Sequence, residues 1–336
     1  MRNYLVLFLF SLSFGFLQAD SGYLADPVPE KSIFDLINYQ DILEVDIELN
    51  LHDLLSDWMS EDSFDAVFSF SDFKGERKAW ETKVEIRGKY RRVKCEEMPP
   101  LRLDFKKGDL KKAGLAKFDD LKMVTQCVDD EIVAKQLLLK EYLAYKIYNK
   151  ISDNSFRVQF VKINFKDTET EEIRQQYGFL IEDTAQLRDR LNAEKHDNMF
   201  GVTKDQVDET AYTNMALFQS MIGNGDWSVM EISKNVKMMS KGGKLIPVPY
   251  DFDFSKMVNA QYANTDFNYN SRILKAKELT EMSKESKDFN NSIELFKRKK
   301  SEIIQLVQDF KLINKPDRRR IIELINLFYQ ELDMEI

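Results

Sequence analysis

Residues 43–51 read Leu43-Glu44-Val45-Asp46-Ile47-Glu48-Leu49-Asn50-Leu51, with an apolar side chain at every second position. Successive side chains of a strand point to opposite faces, so this alternation predicts a half-buried strand. The pattern repeats downstream. Phe64, Ala66, Phe68 and Phe70 alternate in the same way, and Ser71-Asp72 with Gly75 supply turn chemistry. Thr82, Val84 and Ile86 make a third strand ending at Gly88. Leu101, Leu103 and Phe105 make a fourth after Pro99-Pro100, and Leu121–Thr125 a short fifth.

The period then changes. Ile132, Val133, Gln136, Leu137, Lys140, Leu143, Ala144, Ile147 and Tyr148 fall on one helical face, with Asp129 or Asp130 as its cap. Two further strands follow, Phe156–Phe165 and Tyr177–Glu182, joined by a charged hairpin around Lys166–Arg174. Beyond Thr184 helices dominate. Glu209–Ile222 reads as a helix running into Gly223-Asn224-Gly225, and Val236–Pro249 as a hairpin turning at Gly242-Gly243. Ile293–Phe310 and Arg318–Leu332 read as amphipathic helices parted by Pro316, and Lys275–Lys287 as a solvated stretch. Strands first and helices later predict an α+β protein or two lobes. The boundary falls at residue 183, giving a β-rich part over 20–182 and a helical part over 183–336.

Composition narrows the chemistry. The 336 residues carry a formal net charge of −8, which argues against a dedicated nucleic-acid binder. The only His residues are His52 and His196, and the only Cys residues are Cys95 and Cys127. Neither a His/Cys zinc centre nor a Ser-His-Asp or Cys-His enzyme is well served by that inventory. Chemistry is expected to rest on carboxylates, Lys, Arg and Asn. No P-loop, no Gly-x-Gly-x-x-Gly after a strand and no His-Glu-x-x-His is present.

Residues 1–19 carry the three-part pattern of a secretory signal peptide: Arg2, an uncharged apolar run over Leu5–Leu17, and small Ala19 before Asp20. Cleavage would leave a slightly more acidic chain without a membrane span, placed in the periplasm, outside the cell or at its surface. In such a compartment Cys95 and Cys127 are either bridged or two separate thiols, and their spacing does not decide.

The richest polar stretch is Ile222-Gly223-Asn224-Gly225-Asp226-Trp227, then Asn235, then Pro249-Tyr250-Asp251-Phe252-Asp253-Phe254. On an extended segment Asp251 and Asp253 would face one side and Phe252 the core. Carboxylates with an Asn carbonyl are hard oxygen donors suited to Mg²⁺ or Ca²⁺, and the same set supports phosphoryl transfer. A plain turn-and-cap role for these residues is the competing reading.

Several segments in order resemble the CotH kinase family, atypical kinases related to a spore coat protein. They are Glu85-Ile86-Arg87-Gly88, the strand after Pro99-Pro100, Tyr142-Leu143-Ala144-Tyr145, and Tyr177-Gly178-Phe179-Leu180-Ile181-Glu182. Asn224-Gly225-Asp226-Trp227, Asn235 and Pro249-Tyr250-Asp251-Phe252-Asp253 follow, so the resemblance spans roughly residues 80–255. It implies a protein-kinase-like two-lobe fold, with a β-rich N-lobe holding one helix and a mainly helical C-lobe. It also implies ATP, Mg²⁺ or Mn²⁺, and transfer of the γ-phosphoryl group to Ser or Thr of exported or surface proteins. Asp226 would be the catalytic Asp, accepting a hydrogen bond from the substrate hydroxyl and orienting it; Asn235 and Asp251 would be metal ligands, and Asp253 a second ligand or a support behind them. Arg87, Lys89, Arg102 or Lys122, and Glu182 would face the nucleotide, with Glu141 a candidate partner for Arg102 or Lys122. The family's Arg-Gly-x-Gly-Asn is here Arg87-Gly88-Lys89-Tyr90-Arg91-Arg92, which lacks the second Gly. That departure, and the uncertain ATP supply outside the cell, support a non-catalytic envelope-binding protein as the alternative. A glycan-active enzyme using the same carboxylates is a third reading.

Overall fold

A computed structural model describes residues 30–56, 61–88, 95, 98–127, 130–198, 200–230, 232–261 and 287–334. The signal segment, Lys89, and all but the last residue of Lys275–Lys287 lie outside them.

Seven strands build the first architectural element: β1 (Leu43–Leu49), β2 (Ser63–Ser71), β3 (Arg77–Ile86), β4 (Leu101–Phe105), β5 (Asp120–Thr125), β6 (Val158–Asp167) and β7 (Ile173–Ile181). They form a closed barrel in the order β1-β2-β3-β4-β5-β7-β6. The opening stretch of alternation is what closes it. β1 pairs antiparallel with β2 (Val45 opposite Phe70) and parallel with β6 (Val45 opposite Ile163). Its apolar positions Val45 and Ile47 are fully enclosed and meet Phe68, Phe70, Val84, Leu103, Met123 and Ile163 inside the barrel. Every other residue of a barrel strand faces out, so the outer wall is free to carry a second set of contacts.

The expected two-lobe, protein-kinase-like architecture is therefore overturned by the closed seven-stranded barrel. The strand count is close to what the alternation implies. Closure is not, because period-2 alternation assigns faces and says nothing about which distant strand becomes a neighbour. The parallel β1–β6 pairing joins segments separated by more than half the described barrel, a contact no local pattern encodes. β1 also stops at Leu49, and Leu51 opens the short helix α2 (Leu51–Ser56), which follows α1 (Ile33–Ile37) and precedes α3 (Lys107–Lys112).

The long helix α4 (Glu131–Ile151) is capped by Asp130, whose carboxylate accepts from the Ile132 and Val133 N–H groups. It lies against the outer face of β6 and β7, where Phe160, Phe179 and Ile181 join Tyr142, Tyr145 and Leu139 in a second core. That core continues into α5 (Thr184–Leu191), α6 (Glu209–Ile222), α7 (Lys287–Asp309) and α8 (Lys315–Met334). A small sheet of β8 (Glu194–Lys195), β9 (Val236–Lys241) and β10 (Lys244–Pro249) runs in the order β10-β9-β8. Lys31–Ile336 forms one compact unit.

Two local devices hold the barrel wall. A Cβ at Gly178 would lie 2.6 Å from the Val124 carbonyl oxygen and 2.9 Å from Ile163 Cδ1, so only glycine allows β5, β6 and β7 to approach there. Cys95 and Cys127 are joined in a disulfide with Cα atoms 4.4 Å apart and a sequence separation of 32. Closing a loop of that size is worth about 3.7 kcal/mol in the chain-entropy view. The bridge ties the β3–β4 connection to the end of β5, beside the bond from Thr125 Oγ1 to the Met98 carbonyl at 2.8 Å.

Candidate functional site

A cleft of about 590 Å³ opens between the outer barrel wall and the α6–β9–β10 region. The barrel contributes Arg87 and Gly88 from the end of β3, Pro100 from the start of β4, Val124 of β5 and Ile181 of β7. Helix α4 contributes Glu141 and Tyr145. The opposite wall holds Asp226, Lys234, Asn235, Tyr250, Asp251, Asp253 and Phe254.

Local geometry explains why these residues converge. Helix α6 ends at Gly223 in the left-handed region (φ 65°), with its N–H bonded back to the last turn. The chain turns sharply there and delivers Asn224 and Asp226. Asn224 is buried; its Nδ2 donates to Gln219 Oε1 at 3.0 Å and its Oδ1 accepts from the Asp226 N–H at 3.0 Å. The Asp251–Asp253 turn docks alongside, since the Lys256 and Met257 N–H groups donate to the Gly223 and Ile222 carbonyls at 3.1 and 3.0 Å. Phe252 is fully buried between helices, its ring 4.6 Å from Tyr145 and 5.3 Å from Phe218. It enters the core as its position implies. The segment, however, is not extended. Asp251 takes a left-handed φ of 64°, and a turn rather than strand alternation brings both carboxylates to the cleft.

Asn235 links the two halves of this wall. Its Nδ2 donates to the Asp226 backbone carbonyl at 2.8 Å and to Asp226 Oδ2 at 2.9 Å. Its own carbonyl accepts from the Tyr250 N–H at 3.0 Å. Asn235 is also left-handed (φ 52°), so two non-glycine residues of the cleft hold a conformation that side chains seldom adopt. With Nδ2 committed, Oδ1 remains as the hard donor. Lys234 Nζ pairs with Asp226 Oδ1. Tyr145 accepts the Asp251 N–H at 2.9 Å, and burial, then Glu141 and Asp251, raise its hydroxyl well above the ordinary phenol range.

Arg87 is the cation the barrel contributes to the cleft lining, and Lys122 and Lys237 lie within reach of its charge. Lys122 lies on β5 opposite Ile181, its amine donating to Thr184 Oγ1 at 2.9 Å and standing 5.8 Å from the Phe156 ring centre. Burial pulls it down to about 8, offset by Asp120 and Asp183 and reinforced by the charges of Arg87 and Lys237. Lys237, on β9, sits 5.6 Å from the Tyr250 ring centre and is also lowered by burial, then by Arg87. Among the described residues none of these three cations has a carboxylate within ion-pair distance.

The structure thus brings together Asp226, Asn235, Asp251, Asp253 and Arg87. It does not bring Arg102, Lys122 or Glu182 to the cleft lining, although Lys122 stands within reach of the Arg87 charge. Arg102 is held by Glu85 at 3.0 Å, Asp120 at 3.2 Å and Asp104 at 3.8 Å. Glu182 is fully buried between Arg157 at 2.8 Å and Arg190 at 2.7 Å, tying β7 to β6 and α5. Lys234 and Lys237 carry no mark of their own in the sequence as site residues, and Tyr145 appears there only within the Tyr142-Leu143-Ala144-Tyr145 segment. Lys234 adjoins Asn235, and that adjacency is the only signal that marks it.

Oxygen donors on one wall fit Mg²⁺ or Mn²⁺, which is commonly held by one or two carboxylates together with substrate phosphates. Among the described residues no three His, Cys, Asp or Glu are gathered as a ready ligand set. Asn235 Oδ1, Asp251 and Asp253 are the residues that would hold the ion. No protein-family model matches the chain, and no curated protein matches it.

Proposed function

We propose that this cleft binds a metal–nucleotide, ATP with Mg²⁺ or Mn²⁺, and transfers its terminal phosphoryl group to a hydroxyl of an exported or surface protein. One observation carries the reading: Asp226, Asn235, Asp251 and Asp253 line one wall of the cleft and Arg87 the other, with Lys122 and Lys237 within reach of the Arg87 charge, three cations without carboxylate partners at ion-pair distance among the described residues. Such an arrangement suits a polyanion whose phosphates meet the cations while oxygen ligands meet its metal. The CotH-like segments imply the same activity, and the chemistry lives in the site rather than in a kinase-like fold.

Asp226 would accept the proton of the attacking hydroxyl and orient it. The acceptor oxygen bonds to phosphorus as the bond to the leaving diphosphate breaks. Asn235 holds Asp226 in place, and Lys234 beside it offsets negative charge near the transferring group. The metal, when bound, neutralises charge on the phosphate oxygens. The signal-like residues 1–19 and the Cys95–Cys127 bridge support an exported setting.

A second reading is a non-catalytic binding protein. Its motivation is that both Asp226 carboxylate oxygens are already engaged, one by Lys234 and one by Asn235. Thermal unfolding with ATP and Mn²⁺, followed by labelling with γ-³²P ATP, separates the two. Ligand at a hundred times its dissociation constant should stabilise the protein by about 2.7 kcal/mol. Asp226→Ala should keep that shift and lose labelling, and Asp251→Ala should lose the metal-dependent part of the shift. No shift at millimolar nucleotide rejects the proposal. A shift without labelling, unchanged in Asp226→Ala, selects the second reading.

A further inference from the structure

Helix α4 places Glu141 and Tyr145 one turn apart at the cleft floor, and both line it. The Tyr145 residue is 2 % exposed, and its ring packs 4.6 Å from Phe252 and 5.7 Å from Phe179, so its position is fixed by the core. Its hydroxyl oxygen accepts the N–H of Asp251 at 2.9 Å. That contact spans 106 residues of sequence and reaches the one acidic residue of the turn with a left-handed backbone. A left-handed aspartate costs free energy unless its surroundings hold it. Here it is held on both sides. The preceding Tyr250 N–H is tied to the Asn235 carbonyl at 3.0 Å, and the Asp251 N–H to Tyr145. Phe252 then anchors the next position in the core.

We infer that Tyr145 is a positioning residue, whose hydroxyl fixes the left-handed turn at Asp251 and thereby presents the Asp251 carboxylate to a divalent cation bound with nucleotide in the cleft. This inference rests on the metal–nucleotide reading of the site. Tyr145 does not touch the reacting groups; it acts through Asp251. Without the hydroxyl, the ring still fills its place against Phe252 and Phe179, but the Asp251 N–H loses its acceptor and the turn loses that restraint.

The test uses the full chain and Mn²⁺ as the probe, followed by the loss of the free-ion paramagnetic resonance signal in the presence of a non-hydrolysable ATP analogue. Wild type should bind Mn²⁺ with the analogue. Tyr145→Phe should weaken Mn²⁺ by about tenfold, the order expected for one lost hydrogen bond. Nucleotide affinity without metal should stay within twofold of wild type. A double-mutant cycle with Asp251→Ala supplies a readout that a packing role would not move. If Tyr145 acts through Asp251, Tyr145→Phe costs nothing further in the Asp251→Ala background. Unchanged Mn²⁺ affinity in Tyr145→Phe overturns the positioning role while leaving the metal–nucleotide site standing. Equal losses in both backgrounds, or a parallel loss of metal-free nucleotide binding, also overturn it. A wild type that binds neither Mn²⁺ nor the analogue removes the parent reading and this inference with it.

Discussion

Two lysines in different regions of the molecule have amines brought down to about 8 by burial, and they differ in whether a carboxylate stands within ion-pair distance. Lys140, on α4, is 5 % exposed and faces Asp317 of α8 at 3.8 Å. Lys122, on β5, has a hydroxyl and an aromatic ring as its near partners; Asp120 and Asp183 act on it only from beyond ion-pair distance, while Arg87 and Lys237 add like charge. A buried cation opposite a carboxylate is a contact between two helices. A largely desolvated cation with no carboxylate in contact and two cations nearby is destabilising unless an anion arrives. Under the proposed metal–nucleotide reading, that difference would separate a packing device from a binding device, although burial acts on both amines in the same direction.

The largest expected effect breaks the comparison at Lys122. Lys122→Met keeps the length of the side chain and removes the charge. ATP affinity in calorimetry should fall by about a hundredfold, since a charge-assisted hydrogen bond is worth roughly 1.5–3 kcal/mol. An affinity within threefold of wild type would place Lys122 with Lys140, as packing.

The next effect has the opposite sign. Without ligand, Lys122→Met should be more stable than wild type at neutral pH by about 2 kcal/mol, because the buried charge is no longer carried. The linkage follows from the direction of the shift. The folded chain releases the Lys122 proton near 8, while the unfolded chain keeps it to about 10.5. Between those values the unfolded state binds more protons, so wild-type stability gains with rising pH. The variant has no such term. Urea denaturation at pH 7 and pH 9.5 should therefore show the stability gap between the two proteins shrinking at the higher pH. A gap that is constant or widens would contradict a buried, proton-losing Lys122.

Which of these features the amino-acid sequence discloses depends on the range of the interaction. Lys140 falls on the apolar face of a helical repeat, so its burial follows from local periodicity; Asp317 as its partner does not, because it lies on another helix. Lys122 and Arg102 are direct neighbours across β4 and β5, and both face outward by alternation. Nothing local distinguishes the cation that carboxylates hold from the one they do not. Three carboxylates around Arg102, at 3.0 to 3.8 Å, make the distinction, and two of them sit on neighbouring strands. Asp226, Asn235 and Asp251 are legible as oxygen donors because residue type alone carries that chemistry. The left-handed turn that aims Asp251 is not, since it depends on Tyr145 and Asn235 from distant segments. Barrel closure fails to show for the same reason: the β1–β6 pairing is a long-range choice.

The smallest expected effect lies at Lys140, and it is the most discriminating because Glu141, the next residue, lines the cleft. Lys140→Met removes the amine opposite Asp317. The carboxylate is not stranded by this, since Asn314 Nδ2 donates to it at 2.9 Å and Arg320 approaches at 3.4 Å. The pair at 3.8 Å returns less than the burial costs, which is why the amine is lowered rather than raised. Stability should accordingly rise by about 1 kcal/mol, within the range seen when buried charges give way to apolar groups. ATP affinity should stay within twofold of wild type. A Lys140 variant that lost nucleotide as Lys122→Met is expected to do would show that any charge removed near the cleft has that result. The partnering of a buried lysine would then carry no information about its role.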